Sequence, residues 1–155
     1  MSSTNRLRRL WDKLHPLPGG DRVFSILLGR LAPYTGSIRP RVRELGEGYC
    51  RVEMADRRAV RNHLNSIHAI ALANLGEVAS GLALMYSLPP EARAILVEIS
   101  IAYLKKARGT LTAECRTSLP DFRQVGEHEM ETLIRDDSGD EVARARARWL
   151  IGPRE

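Results

Sequence analysis

The chain has 155 residues, of which 43% are hydrophobic and 28% charged, a composition that supports a globular domain with one core. Its formal net charge is +5, but the basic residues are spread along the whole chain and only 5% of residues are aromatic. Because no helix-turn-helix, zinc-finger or RNP-like signature is present, the sequence argues against a nucleic-acid-binding protein. A small polyanion, such as a nucleotide-bearing cofactor, is the better partner for this modest positive charge.

Two amphipathic helices are predicted near the N-terminus. Apolar residues recur at helical spacing over Arg6–Leu14 and again over residues 23–31. Asp21 is the expected N-cap of the second helix, and Pro33 and Gly36 are expected to end it. The first residues have no apolar core like that of a signal peptide, and no run of about 18 apolar residues occurs. We therefore expect a cytoplasmic protein without a membrane span.

From residue 37 onward the hydrophobic period changes to two, which predicts β-strands. Two strands form a hairpin at Gly46 and Gly48, and Pro40 places the first of them at a sheet edge or a bulge. A long apolar helix over residues 67–86 precedes four more strands, over residues 93–106, 110–118, 127–135 and 141–151. This order predicts an α+β fold in which an antiparallel sheet of about six strands wraps one central helix. We assign residues 1–35 to a helical extension and residues 36–155 to the main domain.

The last two predicted strands carry opposite charges on one face. These residues are Arg144, Arg146 and Arg148 on one strand and Glu127, Glu129 and Glu131 on the other. Opposite charges across an antiparallel pair stabilise it by roughly 0.2–1 kcal/mol each. The pattern therefore favours a solvated sheet face over a phosphate-binding patch.

The cysteines and histidines do not predict a metal site or a disulfide. Cys50 and Cys115 lie at inward positions of predicted strands and lack CxxC spacing, which favours buried free thiols. The four histidines show no ligand spacing with other donors. They are His15, His63, His68 and His128.

The central helix contains a single charged residue, Glu77, among alanines, glycines and large aliphatic side chains. Gly76 and Gly81 suit a helix that a curved sheet approaches closely. A buried carboxylate is costly unless it is paired or neutralised. Glu77 is therefore either a structural ion-pair partner or a general base or nucleophile whose pKa is raised by burial.

The start of this helix offers a second set of polar groups. Ser66 is the expected N-cap, which leaves the amides of residues 67–69 able to receive a developing oxyanion. Alternatively, the Ser66 hydroxyl occupies the Ala69 amide itself. His68 lies nine residues before Glu77, on roughly the opposite side of the helix, so only a dimer is expected to bring the two together. Taken alone, His68 is expected to bond to nearby backbone.

Asn62, His68 and Glu77 stand in the frame N-x5-H-x8-E, followed by a small-residue helix and the strand ending Y-L-K-K-A-R-G. From about residue 37 onward the chain resembles the hotdog-fold thioesterase superfamily, particularly the phenylacetyl-CoA thioesterase type. In that type an asparagine, a histidine starting an HGG triplet and an acidic helix residue recur at this spacing. The resemblance implies a hotdog fold and an acyl-CoA substrate, with coenzyme A entering as part of the substrate and no separate cofactor.

The resemblance also implies roles for four residues. Glu77 activates water or attacks the thioester carbonyl, and the Ala69 amide stabilises the oxyanion. Asn62 positions the water or the acid, and His68 orients the helix start. The site lies between the subunits of a homodimer, with Glu77 facing Asn62 and His68 of the other chain; pairing of dimers into a tetramer stays open.

The sequence departs from the family pattern in three ways. Ala69 and Ile70 replace the HGG glycines, the acid is glutamate rather than aspartate, and Lys105 and Lys106 stand at positions that are usually apolar or proline. A basic group is a candidate for the coenzyme A phosphates, with solvated strand ends as the alternative. Its members are Lys105, Lys106, Arg108, Arg57, Arg58 and Arg61.

Two other functions compete with a thioesterase. A hydroxyacyl thioester dehydratase also uses a histidine and a glutamate, but its glycine- and proline-rich histidine loop is absent. A non-catalytic hotdog dimer that binds acyl-CoA or a lipid is the stronger rival, because the HGG glycines are lost. The presence of Glu77 separates them, since a binding protein has little need of a lone buried carboxylate.

Overall fold

A six-stranded antiparallel sheet wrapped around one long helix forms the fold of residues 5–154, the part of the chain that the computed structural model describes. The helices are α1 (Arg6–Leu14), α2 (Gly20–Leu31), α3 (Pro33–Ser37) and α4 (Ala69–Ser87). The strands are β1 (Arg41–Gly46), β2 (Tyr49–Met54), β3 (Ala92–Tyr103), β4 (Leu111–Arg116), β5 (Gly126–Arg135) and β6 (Glu141–Pro153). A short 3-10 turn, Arg58–Val60, lies between β2 and α4.

The strands are ordered β1-β2-β4-β5-β6-β3, so β1 and β3 form the two edges of the sheet. The edge position of β1 confirms one of the two outcomes expected from Pro40. The register shift of that strand falls between Val42 and Glu44, however, and Pro40 itself lies just before the strand begins. β6 pairs with β5 on one side and with β3 on the other. It also packs against the middle of α4, where Ala145 lies next to Gly76.

Small side chains allow the sheet to approach α4 closely. A Cβ added at Gly76 would lie 2.6 Å from the Cβ of Ala145 on β6, far inside normal contact distance. The Thr132 hydroxyl on β5 also donates to the Gly76 carbonyl, at 3.3 Å. α4 is long and apolar enough to span a membrane, but 67% of its apolar 18-residue stretch is buried inside the fold, as in a core helix. This arrangement is the hotdog fold, which confirms the predicted α+β class and the resemblance.

The N-terminal helices pack onto the end of α4 and onto β1. α1 has the predicted bounds; Asn5 caps it, and Trp11 contacts Phe24 of α2 edge-on, with ring centroids 5.0 Å apart. The prediction that Asp21 caps α2 is wrong: the N-cap is Gly19, in a left-handed conformation, and the Asp21 carboxylate instead accepts from Arg41 and another β1 arginine.

A third helix, α3, was not predicted. Pro33 occupies its first turn, where the missing amide hydrogen costs nothing, so this proline begins a new helix as well as following the end of α2. α3 packs against α2 through two glycines, since a Cβ at Gly36 would lie 2.5 Å from the Gly29 carbonyl oxygen. The division into residues 1–35 and 36–155 stays a prediction, and its boundary falls inside α3.

The charged face of the last hairpin is as predicted. Arg146 bonds Glu131 at 3.2 Å, and Arg148 bonds Glu127 at 3.2 Å and also Glu98 of β3. Cross-strand pairs therefore engage these arginines on the sheet surface. The two cysteines are free and fully buried, as expected, and face each other across β2 and β4.

Candidate active site on the central helix

Glu77 lies in a small apolar pocket on the side of α4 that faces β3. The pocket has a volume of about 280 Å³ and is lined by Tyr34, Thr35, Ile70, Ala73, Asn74, Glu77 and Ile99. Within residues 5–154 the Glu77 carboxylate makes no hydrogen bond and no ion pair. Burial therefore acts unopposed and raises the pKa of this carboxyl group. A structural ion pair was one of the two roles expected for Glu77, and no such pair forms within residues 5–154.

Trp149 is a neighbour of this carboxylate that sequence reasoning missed. A Cβ placed on Gly81 would lie 3.3 Å from the Trp149 ring and 3.5 Å from Oε1 of Glu77. Gly81 therefore leaves open a space that is bounded by the indole and the carboxylate. The Trp149 Nε1 hydrogen is buried and has no acceptor among the described residues. No sequence signal distinguishes this tryptophan from an ordinary core residue.

The N-cap of α4 differs from the prediction. His68, not Ser66, caps the helix: its Nδ1 accepts from the Ile70 amide at 3.0 Å. The Ser66 hydroxyl instead donates to Oδ1 of Asn62 at 3.2 Å. The Ala69 amide therefore keeps its hydrogen free of any acceptor in the described part of the chain, as an oxyanion donor requires.

Asn62 organises the loop before α4. Its Oδ1 accepts from the Leu64 amide at 2.9 Å and from the Ser66 amide at 3.2 Å, in addition to the Ser66 hydroxyl. The Asn62 amide and the Ser66 carbonyl are also bonded, at 2.8 Å. The side-chain amide group of Asn62 has no acceptor within residues 5–154 and remains available as a donor. One face of Asn62 thus shapes the loop, and the other is free for a ligand.

Tyr103 fixes the start of α4 from the sheet. Its hydroxyl donates to the Ala69 carbonyl at 2.9 Å, while the Ile67 amide bonds the Ala107 carbonyl at 2.8 Å. The His68 amide bonds the Val60 carbonyl, also at 2.8 Å. The backbone around Ala69 is therefore held from three directions. The sequence pointed to the tyrosine of this strand but not to this contact.

The four candidate catalytic residues fall into two groups. Asn62, His68 and Ala69 lie on the loop and first turn of α4, and Asn62 is bonded to Ser66, two residues before His68. Glu77 lies nine residues after His68, about 13.5 Å along the helix rise, and no hydrogen bond or ion pair links it to the first group within residues 5–154. The expectation that a second subunit joins the groups stays a prediction.

The predicted basic group is divided by its ion pairs. Lys105 binds both Asp136, at 2.8 Å, and Asp140, at 2.7 Å, and these carboxylates raise its pKa. Arg61 binds Asp56 at 2.6 Å.

The other four residues of the basic group differ in their contacts. Arg108 donates to the Asn65 carbonyl at 3.3 Å. Lys106 and Arg58 are exposed, without a partner among the described residues. Arg57 faces a separate, larger cavity. Arg61 and Arg108 both donate to Asn65, whereas Arg57 lines the larger cavity, so the six residues have different surroundings.

Residues 5–154 contain no group of three or more histidine, cysteine, aspartate or glutamate side chains that could hold a metal ion. The candidate groups described above are a carboxylate, a backbone amide and a side-chain amide, which suit proton transfer and oxyanion stabilisation.

Comparison with solved structures gives the same architecture. A structural-genomics crystal structure is 30% identical and covers 97% of this chain and 100% of its own, with a TM-score of 0.85. A Pseudomonas aeruginosa protein of unknown function, described as a probable thioesterase, is 22% identical over 89% of this chain and 97% of its own, with a TM-score of 0.77. A mutant of a Staphylococcus aureus thioesterase is 17% identical over 79% of this chain and 100% of its own, with a TM-score of 0.71.

The similarity to the Pseudomonas aeruginosa and Staphylococcus aureus structures, at 22% and 17% identity, shows that they share the fold of this chain. No curated protein matches the chain in sequence. A family model described as a domain of unknown function, DUF4442, matches residues 20–151, and this match includes α2, α3 and all of the sheet except the last two residues of β6. The chain therefore belongs to the DUF4442 family, whose domain here takes the hotdog fold.

Proposed function

We propose that the protein is an acyl-CoA thioesterase in which Glu77 acts on the thioester carbonyl. The observation that carries the proposal is a lone carboxylate on the core helix, unpaired within the described residues and set in an apolar pocket. A purely structural glutamate at such a position is costly. The presence of thioesterases among proteins of the same fold adds support.

A homodimer completes the proposed site. Within residues 5–154, β3 is hydrogen-bonded along one side only, to β6, and it is a sheet edge of 12 residues. Its surroundings expose large apolar side chains: Ile95, Val97, Ile99, Tyr103 and Leu104. Long apolar edge strands pair with another chain unless they are protected. Pairing of β3 with its copy about a two-fold axis covers this edge on both protomers at once.

In the proposed dimer, Glu77 of one protomer faces Asn62 and His68 of its partner. Glu77 takes a proton from water, and the oxygen of that water adds to the thioester carbonyl. The Ala69 amide receives the oxyanion of the tetrahedral intermediate. When the intermediate collapses, the carbon–sulfur bond breaks, and the coenzyme A thiolate takes the proton from Glu77. Direct attack by the carboxylate, with later hydrolysis of an anhydride, uses the same geometry.

Asn62 and His68 act as positioning residues in this scheme. The free side-chain amide of Asn62 donates to the attacking water or to the carboxylate. His68 keeps the first turn of α4 in place by capping Ile70. Neither residue exchanges a proton in the proposed reaction.

The test is thiol release from a panel of acyl-CoA esters, from acetyl to palmitoyl and phenylacetyl, with wild type beside Glu77→Gln. Glu129→Gln, an exposed change on β5, is the matched control. Turnover by wild type and by the control that collapses in a folded Glu77→Gln protein supports the proposal. Turnover that survives in Glu77→Gln contradicts it.

A non-catalytic acyl-CoA or lipid-binding protein is the second candidate. Ile70, which stands where the family pattern has a glycine, lines the Glu77 pocket and is 53% exposed. A branched side chain at that place narrows the approach to the carboxylate. Tight acyl-CoA binding without turnover on any ester identifies this alternative. A cytoplasmic location stays a prediction.

A further inference from the structure

A second cavity, larger than the Glu77 pocket, lies between the N-terminal helices and the sheet. Its volume is about 1070 Å³, at the upper end of the range for small-molecule sites. Residues of α2, α3, β1, β2 and the loop after β2 line it. Five of them are arginines: Arg22, Arg39, Arg41, Arg43 and Arg57. We call it the arginine cavity.

Two carboxylates neutralise only part of this charge. Asp21 binds Arg41 at 3.0 Å and Arg43 at 3.2 Å, and Glu53 binds Arg43 at 2.7 Å. Glu53 is the single acidic residue in the lining. Five arginines against two carboxylates leave three positive charges in excess.

Arg22, Arg39 and Arg57 carry that excess. None of the three pairs with a carboxylate among the described residues. The Arg57 guanidinium donates from Nη2 to the Ser37 carbonyl at 3.0 Å, but its Nε is buried and has no acceptor in residues 5–154. Burial and the nearby Arg39 cation lower the pKa of Arg57. A buried donor without an acceptor is costly, and an anionic ligand in the cavity would supply the missing acceptor.

The backbone at Arg39 is strained in the same cavity. Its φ angle is +50°, in the left-handed region that residues other than glycine adopt rarely. The following Pro40 further restricts the backbone of this residue. Strained residues of this kind cluster at ligand sites, where the surrounding structure holds them in place. The strain keeps a cationic side chain at the wall of the cavity rather than on a regular strand.

Much of the remaining lining is apolar, with Ile26, Pro33, Pro40, Ala55 and Ala59 beside three hydroxyl residues. A ligand with both an anionic group and a flat or apolar body therefore fits better than a free inorganic ion. Arginine forks suit phosphate oxygens, which they bind in pairs.

α3 is shared between the arginine cavity and the Glu77 pocket. Pro33, Gly36 and Ser37 line the cavity, whereas Tyr34 and Thr35 line the pocket. Asn74, which also lines the pocket, donates to the Tyr34 carbonyl at 3.2 Å and ties α3 to α4. The two spaces therefore lie on either side of one short helix, about 10 Å across.

We propose that the arginine cavity binds the phosphate-bearing nucleotide end of coenzyme A, held by Arg57, Arg39 and Arg22. This proposal rests on the proposed function, since it takes acyl-CoA as the substrate. The flexible pantetheine arm would then pass over α3 and bring the thioester to Glu77. Of the basic residues predicted from sequence for the phosphates, Arg57 takes the leading role, because Lys105 and Arg61 already bind carboxylates.

The first test is calorimetric titration of wild type with coenzyme A, adenosine 3′,5′-bisphosphate and pantetheine. Arg57→Met is compared with Arg22→Met, an exposed residue of the lining, and with Arg30→Met, an exposed residue of α2 outside the lining. We expect Arg57→Met and Arg22→Met to weaken both nucleotides about tenfold or more and to leave pantetheine unchanged. Arg30→Met should bind like wild type. Unchanged nucleotide affinity in Arg22→Met and in a folded Arg57→Met protein overturns the proposal.

Competition separates coenzyme A from another phosphate ligand. If adenosine 3′,5′-bisphosphate binds in an Arg57-dependent way and competes with coenzyme A, the proposal holds. If it binds there without competing, the cavity serves a different phosphate compound, and the assignment to coenzyme A is wrong.

A kinetic measurement tests the phosphate site independently of the proposed hydrolysis. In Arg57→Met, KM for an acyl-CoA ester should rise about tenfold with little change in kcat, whereas turnover of the matching N-acetylcysteamine thioester, which lacks phosphates, should not change. An equal effect on both substrates contradicts the cavity assignment. A wild-type protein that binds the nucleotides but hydrolyses neither ester contradicts the proposed hydrolysis and leaves the phosphate site supported.

Discussion

At the start of α4 the polar groups are bonded to one another: His68 caps Ile70, Asn62 holds Ser66, and Tyr103 holds the Ala69 carbonyl. Two turns further along the same helix, Glu77 has no partner within residues 5–154 and lies among apolar side chains. The first region is organised by local hydrogen bonds, and in the second a half-buried carboxylate lies among apolar side chains. Changes to the two regions should therefore have different signatures.

This difference predicts that stability depends mainly on the start of α4, whereas the chemistry depends on the region around Glu77. A satisfied loop contributes to stability whether or not a ligand is present. An unpaired carboxylate in a pocket lowers the free energy of unfolding when it is ionised. A role in activity therefore explains its presence there better than a role in stability. Substitutions at the helix start should affect folding first, and substitution of Glu77 should affect activity far more than stability.

The largest expected effect is on catalysis by Glu77→Gln. Loss of the general base should lower kcat by about 10²–10⁴-fold while the protein stays folded. In wild type, kcat/KM should fall as pH decreases through the pKa of Glu77, which burial places above the ordinary range of a glutamate. A pH–rate profile on an acyl-CoA ester measures this midpoint. A midpoint in the ordinary range for an exposed glutamate would show that Glu77 is not the titrating group.

Gly76→Ala tests the close packing of the sheet against α4 next to Glu77. The added methyl group would lie 2.6 Å from the Cβ of Ala145, so α4 or β6 must shift. We expect a loss of about 1–3 kcal/mol in the free energy of unfolding, measured by urea denaturation. Gly126→Ala is the control, because a Cβ there meets nothing within 4 Å. If Gly76→Ala is as stable as this control, the close approach of sheet and helix does not limit the fold.

Asn62 allows structure and function to be separated in the first region. Asn62→Ala removes the acceptor for the Leu64 and Ser66 amides and should lower the free energy of unfolding by about 1–2 kcal/mol. Asn62→Asp keeps that oxygen acceptor but loses the free side-chain amide. It should therefore retain most of the stability and still lose activity. Full activity in Asn62→Asp would remove the donor role from the proposed mechanism.

The elements that follow a simple hydrophobic period were predictable from the sequence. α1 begins and ends at the predicted residues, and the six strands and the long helix occur in the predicted order. The small residues of α4 also identified the face that the sheet approaches, as the contact between Gly76 and Ala145 shows. Each of these features depends on neighbours in sequence or on one dominant pattern.

The details of the site depend on contacts that the sequence does not encode locally. Ser66 and His68 are both able to cap α4, and the choice is made by Asn62, which engages the Ser66 hydroxyl. The same is true of the basic residues: Lys105 is neutralised by carboxylates 31 and 35 residues away. The arginine cavity requires α3, a five-residue helix that no hydrophobic period signals.

The smallest expected effect is a pH-dependent difference in stability between wild type and Glu77→Gln. Because folding raises the pKa of Glu77, the folded state favours the protonated form. The associated stability is present below the pKa of the unfolded chain and is lost as pH rises through the pKa of the folded protein. Glu77→Gln lacks this loss, so the free energy of unfolding of the mutant should rise relative to that of wild type with increasing pH.

Denaturation of the two proteins in parallel across this pH range measures the difference. The carboxylates with lowered pKa values, such as Asp21, Asp56 and Glu44, are common to both proteins, and their contributions cancel. A difference that does not change with pH would mean that Glu77 gains a compensating partner in solution. In the proposed dimer such a partner can only come from the other subunit, so repeating the measurement at several protein concentrations separates burial in the protomer from pairing across the interface.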